Sequence, residues 1–159
     1  LVVTHCHFDH CGNVADFSSS EIVIHGDAFQ DGRSRGDDGR PGGIPLEDSN
    51  GDRLNYREID SDIEIAPGLT LLETPGHAPG HLSILIDLPD AGKIVLAIDA
   101  IYTETNLERA NYIVAGDSEQ AKRSAERLVG IAEEQDATLI FGHDPDQWAE
   151  LRKAPDRYT

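Results

Sequence analysis

Short apolar runs separated by turn-forming residues recur along the chain and predict a series of β-strands. Runs at 82–87 and 94–98 are nearly continuously apolar, as expected of strands covered on both faces. Runs at 63–65 and 69–74 flank an Ala-Pro-Gly turn and predict a hairpin. The predicted strands are residues 1–4, 21–25, 63–65, 69–74, 82–87, 94–98 and 137–141.

A helical periodicity stands out over residues 117–135. Apolar side chains recur at Ala121, Ala125, Leu128 and Ala132, which predicts an amphipathic helix. Asp117, with a glutamine three residues later, predicts its N-terminal cap. Shorter helices are predicted at 26–29 and 146–152. Residues 31–50 carry turn formers throughout and almost no apolar periodicity, so they predict a loop that could serve as a lid.

The charge balance narrows the classes of partner. Thirteen basic and 30 acidic residues give a formal net charge of −17, which would repel nucleic acids and anionic membranes. A small neutral substrate is favoured instead. No apolar run reaches the length of a membrane-spanning helix, and we expect a cytoplasmic protein. The sequence does not indicate an oligomeric state.

A metal site is predicted by the histidine-rich segment that follows the first strand. His5, His7, Asp9 and His10 place three imidazoles and a carboxylate within six residues, a combination typical of zinc or another first-row divalent ion. On an extended backbone His5 and His7 point to the same side, whereas Asp9 and His10 are adjacent and diverge. This spacing favours two neighbouring ions. The interleaved cysteines are predicted to be reduced thiols packed behind the site.

The motifs of the chain carry a resemblance to a known family. The segment THCHFDH at 4–10 fits the HxHxDH signature of the metallo-β-lactamase superfamily, and TPGH at 74–77, IDA at 98–100 and FGH at 141–143 follow in that superfamily's order. Within it the chain most resembles the N-acyl-homoserine lactonases, on TPGHAPGH at 74–81, DAIYT at 99–103 and FGHD at 141–144.

This resemblance implies an α/β fold, the αββα sandwich of the metallo-β-lactamase type. Proteins of this kind carry strands and a helix before the HxHxDH segment, so residues 1–159 are expected to be the C-terminal part of such a domain, with the N-terminal half missing. Because a partial sandwich leaves apolar surface bare, we expect the isolated chain to be unstable or inactive without a partner.

The resemblance also implies a ligand set for two Zn²⁺ ions, although other divalent first-row metals fit the same donors. One ion would be held by His5, His7 and His77. The second would be held by Asp9, His10 and His143. Asp99 would bridge the two ions together with a water or hydroxide.

Three further side chains near these ligands receive roles from the resemblance. Tyr102 matches the lactonase tyrosine that sits over the metals, where its phenol could donate to the substrate carbonyl. Asp9 could pass a proton to the leaving alkoxide. His81 is expected to support the site through a hydrogen bond or to have a structural role alone, two alternatives that the sequence leaves open.

Lactone hydrolysis is the leading prediction, and the other readings are weaker. A glyoxalase II-like thioester hydrolase would carry GDT-like residues around Asp99 and a basic helical C-terminal region. A ribonuclease Z-like phosphodiesterase would need a basic surface, and the β-lactamases of the superfamily commonly have cysteine at the position of Asp99. A metal-binding fragment without activity is the alternative outside enzymes.

Overall fold

The computed structural model describes residues 1–37, 53–112 and 116–159, and these group into two compact units. The first unit contains Leu1–Ser61 and Ala78–Leu82, and the second contains Asp62–His77 and Ser83–Thr159. Each unit has its own β-sheet and its own apolar core.

The sheet of the first unit has three parallel strands in the order β1 (Val2–Val3), β2 (Glu21–His25) and β3 (Asn55–Ile59). The strand predicted at 21–25 is confirmed, and its Ile22 and Ile24 side chains are fully buried. β3 was not predicted, because its residues are mostly polar and exposed and its pairing with β2 is what makes it a strand.

Two helices follow the strands of this unit. α1 (Phe8–Cys11) is a single turn inside the histidine-rich segment, and α2 (Gly26–Asp37) begins where β2 ends. The predicted loop at 31–50 is therefore wrong over 31–37, where the helix continues. A side-chain ion pair one helical turn apart, Arg35 Nε to Asp31 Oδ2 at 2.6 Å, supports the continuation. Residues 38–50 lie outside the described part of the chain, so the lid stays a prediction.

The sheet of the second unit has five strands in the order β4-β5-β6-β7-β8. The predicted hairpin is confirmed as an antiparallel pair of β4 with β5, β6 and β7 are also antiparallel, and β8 pairs with β7 in parallel. The strands are β4 (Ile63–Ala66), β5 (Leu69–Glu73), β6 (Leu82–Leu88), β7 (Gly92–Leu96) and β8 (Thr138–Ile140).

Three helices belong to the second unit: α3 (Glu104–Glu108), α4 (Ser118–Glu134) and α5 (Pro145–Glu150). The predicted cap of α4 is confirmed, since the Asp117 carboxylate accepts the Gln120 N–H at 2.9 Å. The apolar stripe of α4 is buried in the core of the unit, as its periodicity predicted. No helix within the described ranges is long and apolar enough to cross a membrane.

Candidate metal centre

The histidines of the first unit converge directly after β1. His5 is fully buried, and its Nε2 lies 3.0 Å from Nδ1 of His7. The ring centroids of His5 and His10 are 4.1 Å apart. The predicted proximity of His5 and His7 is therefore confirmed. Imidazole nitrogens this close must share either a proton or a cation.

The single turn α1 places the remaining donors of this segment. The carbonyl of His7 accepts the backbone N–H groups of His10 and Cys11, each at 3.0 Å. This turn brings Asp9 and His10 out beyond His7, with the Asp9 carboxylate 3.6 Å from His10 Nε2. Both side chains are partly exposed, 43% for Asp9 and 21% for His10. Asp9 and His10 therefore form a donor pair that solvent can reach.

A threonine supports this histidine cluster and was not singled out in the sequence. The Thr4 hydroxyl lies 3.3 Å from Nδ1 of His5 and 3.4 Å from Nδ1 of His10. A hydroxyl oxygen can accept from an N–H at each of these positions, which leaves the Nε2 lone pairs of both rings for a metal ion. The signal was present in the sequence as a hydroxyl residue immediately before the first histidine.

His81 packs against the same cluster. Its ring is fully buried, with its centroid 5.0 Å from that of His5. The segment before it is held by a hydrogen bond from the Leu82 N–H to the Thr4 carbonyl at 2.9 Å. Gly80 has φ +59°, and a Cβ there would lie 2.6 Å from the backbone nitrogen of Ala28. Only glycine fits this turn without a shift of the neighbouring helix.

The two cysteines lie behind the histidines as buried free thiols, as predicted. The pKa of the Cys6 thiol is held far above its usual range, first by its hydrogen bond with Cys11 and then by burial. A thiol that resists ionisation is a poor metal ligand at neutral pH. The donors of this unit are therefore its imidazoles and the Asp9 carboxylate.

In the second unit Asp99 lies between two histidines. One carboxylate oxygen is 3.3 Å from Nε2 of His77, and the other is 3.3 Å from Nε2 of His143. The side chains of Asp99 and His77 are only 5% and 3% exposed, whereas that of His143 is 48% exposed. A buried carboxylate that presents one oxygen to each of two imidazoles has the arrangement that a bridging metal ligand requires.

The backbone around Asp99 is unusual for the residues it contains. β7 ends at Leu96, two residues before the predicted end, because the chain turns into a 3-10 helix at Ile98–Ala100. Ile98 has φ +53°, a left-handed conformation that is costly for a β-branched residue. Gly142 packs directly on this turn, since a Cβ there would lie 2.2 Å from the Ile98 carbonyl oxygen. Asp99 and His143 are thus held in register by backbone contact.

Buried hydroxyls connect the segment that carries His77 to the segment that carries Asp99. The Ser83 hydroxyl donates to the Ala97 carbonyl at 2.9 Å and lies 2.8 Å from the Thr74 hydroxyl. The Ser124 hydroxyl donates to the Pro75 carbonyl at 2.6 Å. These bonds fix both segments within the second unit.

Tyr102 packs beside both histidines of this unit. Its ring centroid lies 5.4 Å from that of His77 and 4.9 Å from that of His143. A cavity of about 260 Å³ is lined by His143 and the residues around it, with Phe141, Trp148 and Leu151 among its walls. The Lys153 ammonium lies over the exposed Trp148 indole, 5.1 Å from its ring centroid.

Asp144 directly follows His143, and its pKa is lowered. Backbone N–H groups of Gln147, then Glu104, then Asp146 donate to the carboxylate, while a small burial effect acts in the opposite sense. These bonds cap α5 and reach the start of α3.

The donor chemistry of both units fits a zinc-type ion. Imidazole nitrogens and carboxylate oxygens are the ligands that borderline divalent metals take in catalytic sites. Each unit brings such donors within 4.8 Å of one another: His5 with His7 and Asp9 with His10 in the first, and His77 with Asp99 in the second. The predicted ligands of each unit are therefore brought together.

Comparison with known proteins assigns both units to one kind of protein. Residues 1–143 match the metallo-beta-lactamase superfamily. An N-acyl homoserine lactonase from Bacillus cereus is 36% identical over 147 residues, which cover 92% of this chain and 56% of that protein. The N-acyl homoserine lactonase AttM from Rhizobium radiobacter is 34% identical over 170 residues, which cover 100% of this chain and 63% of AttM.

One solved structure is also similar to this chain. It is an N-acyl homoserine lactone hydrolase with the product N-hexanoyl-L-homoserine bound at the catalytic metal center. It shares 32% identity with this chain at a TM-score of 0.84, covering 98% of this chain and 59% of that one. The chain thus spans about three fifths of the length of these relatives.

Proposed function

The chain belongs to the metallo-β-lactamase superfamily, and we propose that it is a metal-dependent hydrolase that opens the ring of N-acyl-homoserine lactones. The observation that carries this proposal is the position of Asp99, buried with one carboxylate oxygen toward His77 and the other toward His143. A bridging carboxylate of this kind is what a two-metal hydrolytic site needs. The relatives at 34–36% identity that are N-acyl homoserine lactonases support the choice of substrate.

The proposed ligands are those that the sequence motifs imply. His5, His7 and His77 would hold one ion, Asp9, His10 and His143 the other, and Asp99 both. When bound, two such ions supply a water of lowered pKa as nucleophile and polarise the substrate carbonyl. We favour zinc, because imidazole and carboxylate donors suit it. We expect a crystal structure of the zinc-loaded protein to show two ions about 3.5 to 4 Å apart; a single ion, or Asp99 turned away, would contradict the proposal.

Tyr102 has the chemistry to stabilise the negative charge that develops on the carbonyl oxygen. Its ring lies beside His77 and His143, so its phenol O–H is placed to donate to an oxyanion close to those residues. We predict that Tyr102→Phe retains the bound metal but lowers kcat on lactones by about tenfold to a hundredfold, the loss expected for one donor worth about 1.4 to 2.7 kcal/mol. Unchanged kinetics would leave Tyr102 with a packing role.

Asp9 is the candidate acid for the leaving group. The Asp9 carboxylate, which is 43% exposed beside His10, would take the proton that the nucleophilic water loses and pass it to the alkoxide that ring opening releases. Asp9→Asn should therefore lower kcat more for a lactone than for a thioester, because a thiolate leaves without protonation. Equal losses on both substrates would indicate that Asp9 acts only as a ligand.

The net charge of −17 agrees with a neutral substrate. The same ligands would also serve a glyoxalase II-like thioester hydrolase, because a metal-bound hydroxide hydrolyses thioesters as well.

The deciding experiment compares substrates on the natural protein reconstituted with zinc. N-hexanoyl-homoserine lactone, a glutathione thioester and a phosphodiester would be assayed side by side, with His77→Ala as the metal-deficient control. We expect the highest kcat/KM on the lactone. A higher value on the thioester would favour the alternative enzyme, and full zinc binding without turnover would favour a metal-binding protein without activity.

A further inference from the structure

The carboxylate of Asp144 connects two segments that are 40 residues apart in sequence. Its Oδ1 accepts the N–H groups of Asp146 at 3.0 Å and Gln147 at 2.9 Å, which caps α5. Its Oδ2 accepts the N–H of Glu104 at 2.9 Å. One oxygen therefore serves the helix that follows it, and the other serves the segment that carries Tyr102.

The backbone extends this connection on either side of Tyr102. The Gly142 N–H donates to the Ile101 carbonyl at 3.0 Å, and the His143 N–H donates to the Tyr102 carbonyl at 2.8 Å. With the bond from Glu104 to Asp144, three hydrogen bonds tie residues 101–104 to residues 142–144. Tyr102 is thereby fixed on both sides against the segment that carries His143.

The helix that follows Tyr102 is short and only partly buried. α3 has only five residues, and none of them is buried. Its local support is a cap in which the Thr103 hydroxyl oxygen accepts the Asn106 N–H at 3.1 Å. Leu107 of α3 packs against the core of the second unit, but so short a helix gains little from packing. The bond from the Glu104 N–H to Asp144 adds a polar constraint that joins the start of this segment to the segment carrying His143.

We propose that Asp144 is a positioning residue, which fixes the Tyr102 hydroxyl relative to His143 and thereby sets the efficiency of lactone hydrolysis. The inference rests on the proposed function and adds a residue to it. Asp144 touches neither the substrate nor the metal in this proposal. It acts through Tyr102, because oxyanion stabilisation depends on a donor held at the correct distance.

The two oxygens of Asp144 allow a selective test. In Asp144→Asn the remaining carbonyl oxygen can still cap α5, since asparagine is a good N-cap residue. The amide group that replaces Oδ2 is a donor and cannot accept the Glu104 N–H. The substitution therefore removes the connection to the Tyr102 segment and keeps the helix cap. Asp146→Asn is the matched control, because it makes the same charge change in the first turn of α5 and leaves the bond from the Glu104 N–H to Asp144 Oδ2 in place.

The first readout is amide hydrogen exchange, which needs no activity. In Asp144→Asn we expect faster exchange at the Glu104 amide and unchanged protection at the Gln147 amide. Zinc content should stay equal to that of the parent protein. Unchanged exchange at Glu104 would overturn the proposal, because the bond would not be the constraint that the geometry indicates.

The second readout is a double-mutant cycle with Tyr102→Phe. We expect Asp144→Asn to lower kcat on the lactone by about threefold to tenfold in the parent protein, and by less than about twofold in the Tyr102→Phe background. Asp146→Asn should change kcat by less than about twofold in both backgrounds. The proposal would be overturned if Asp144→Asn lowered kcat equally in the parent protein and in the Tyr102→Phe background. It would also be overturned if Asp144→Asn sped up exchange at the Glu104 amide but left kcat unchanged. Absence of lactone turnover in the zinc-loaded parent would instead refute the proposed function.

Discussion

Substituting Gly142 by alanine tests how tightly the segment carrying His143 packs on the turn carrying Asp99. The added Cβ would lie 2.2 Å from the carbonyl oxygen and 2.8 Å from the carbonyl carbon of Ile98, and 3.4 Å from Oδ1 of Asp99. The first two are backbone atoms, which cannot rotate away as a side chain would. The two segments must therefore separate by about 1 Å, a shift of the kind that overpacking imposes.

The cost follows from the bonds that this separation strains. Overpacking in a well-packed region costs about 1 to 3 kcal/mol, and the bond from the Gly142 N–H to the Ile101 carbonyl is worth about 1 kcal/mol. We expect Gly142→Ala to lower the free energy of unfolding by about 2 to 4 kcal/mol and the melting temperature by about 5 to 15 °C. Zinc affinity should fall by about tenfold or more, because Asp99 and His143 lose their register.

Thermal unfolding and zinc titration of the natural protein measure both effects. Gly130→Ala is the matched control, since Gly130 lies within α4 and a Cβ there meets nothing within 4 Å. That control should be more stable by about 0.5 to 1 kcal/mol, because alanine favours a helix interior. If Gly142→Ala matched the parent protein in melting temperature and in zinc affinity, backbone contact would not be what holds Asp99 and His143 in register.

Three further predictions concern the second unit. Asp99→Asn should lose at least one zinc ion and most activity, and elemental analysis showing two retained ions would contradict its bridging role. Ser83→Ala removes the buried hydrogen bond to the Ala97 carbonyl and should lower the free energy of unfolding by about 1 to 3 kcal/mol in urea titrations. The pKa of Tyr112 is raised above its usual 10.0, first by burial and then by the negative charge of Glu126. Because the pKa of Tyr112 is higher in the folded than in the unfolded protein, its contribution to stability is complete below pH 10 and declines above it. Between pH 9 and about 11 the free energy of unfolding of the metal-free protein should therefore fall more than that of Tyr112→Phe. Parallel plots of the free energy of unfolding against pH for the two proteins would contradict this prediction.

The elements that sequence predicted best are those with a strong periodicity. The apolar stripe and Asp117 cap of α4, the hairpin of β4 with β5 and the strand β2 are all confirmed. Membership of the metallo-β-lactamase superfamily and its α/β fold class are confirmed as well. These features depend on local patterns or on motif residues, both of which are legible in a single sequence.

The features that sequence did not predict depend on contacts between distant segments. The left-handed conformation of Ile98 has no signal in the sequence, because nothing in an apolar run marks a strained residue. In the structure the Gly142 backbone packs closely on the Ile98 carbonyl. α2 was predicted to end early because glycines and aspartates dominate residues 31–37, and a side-chain ion pair supports the helix there instead. α1 was not predicted, since four residues are too few to show a helical period.

The position of Trp148 turns α5 into an optical probe. The sequence has one tryptophan, so all indole emission comes from this residue, whose ring lines the same cavity as His143. The ring is 63% exposed and therefore sensitive to the solvent and charge around it. On the proposed ligand set, which includes His143, loading of a quenching ion such as Co²⁺ should lower the intrinsic fluorescence in real time, with neither a label nor a substrate.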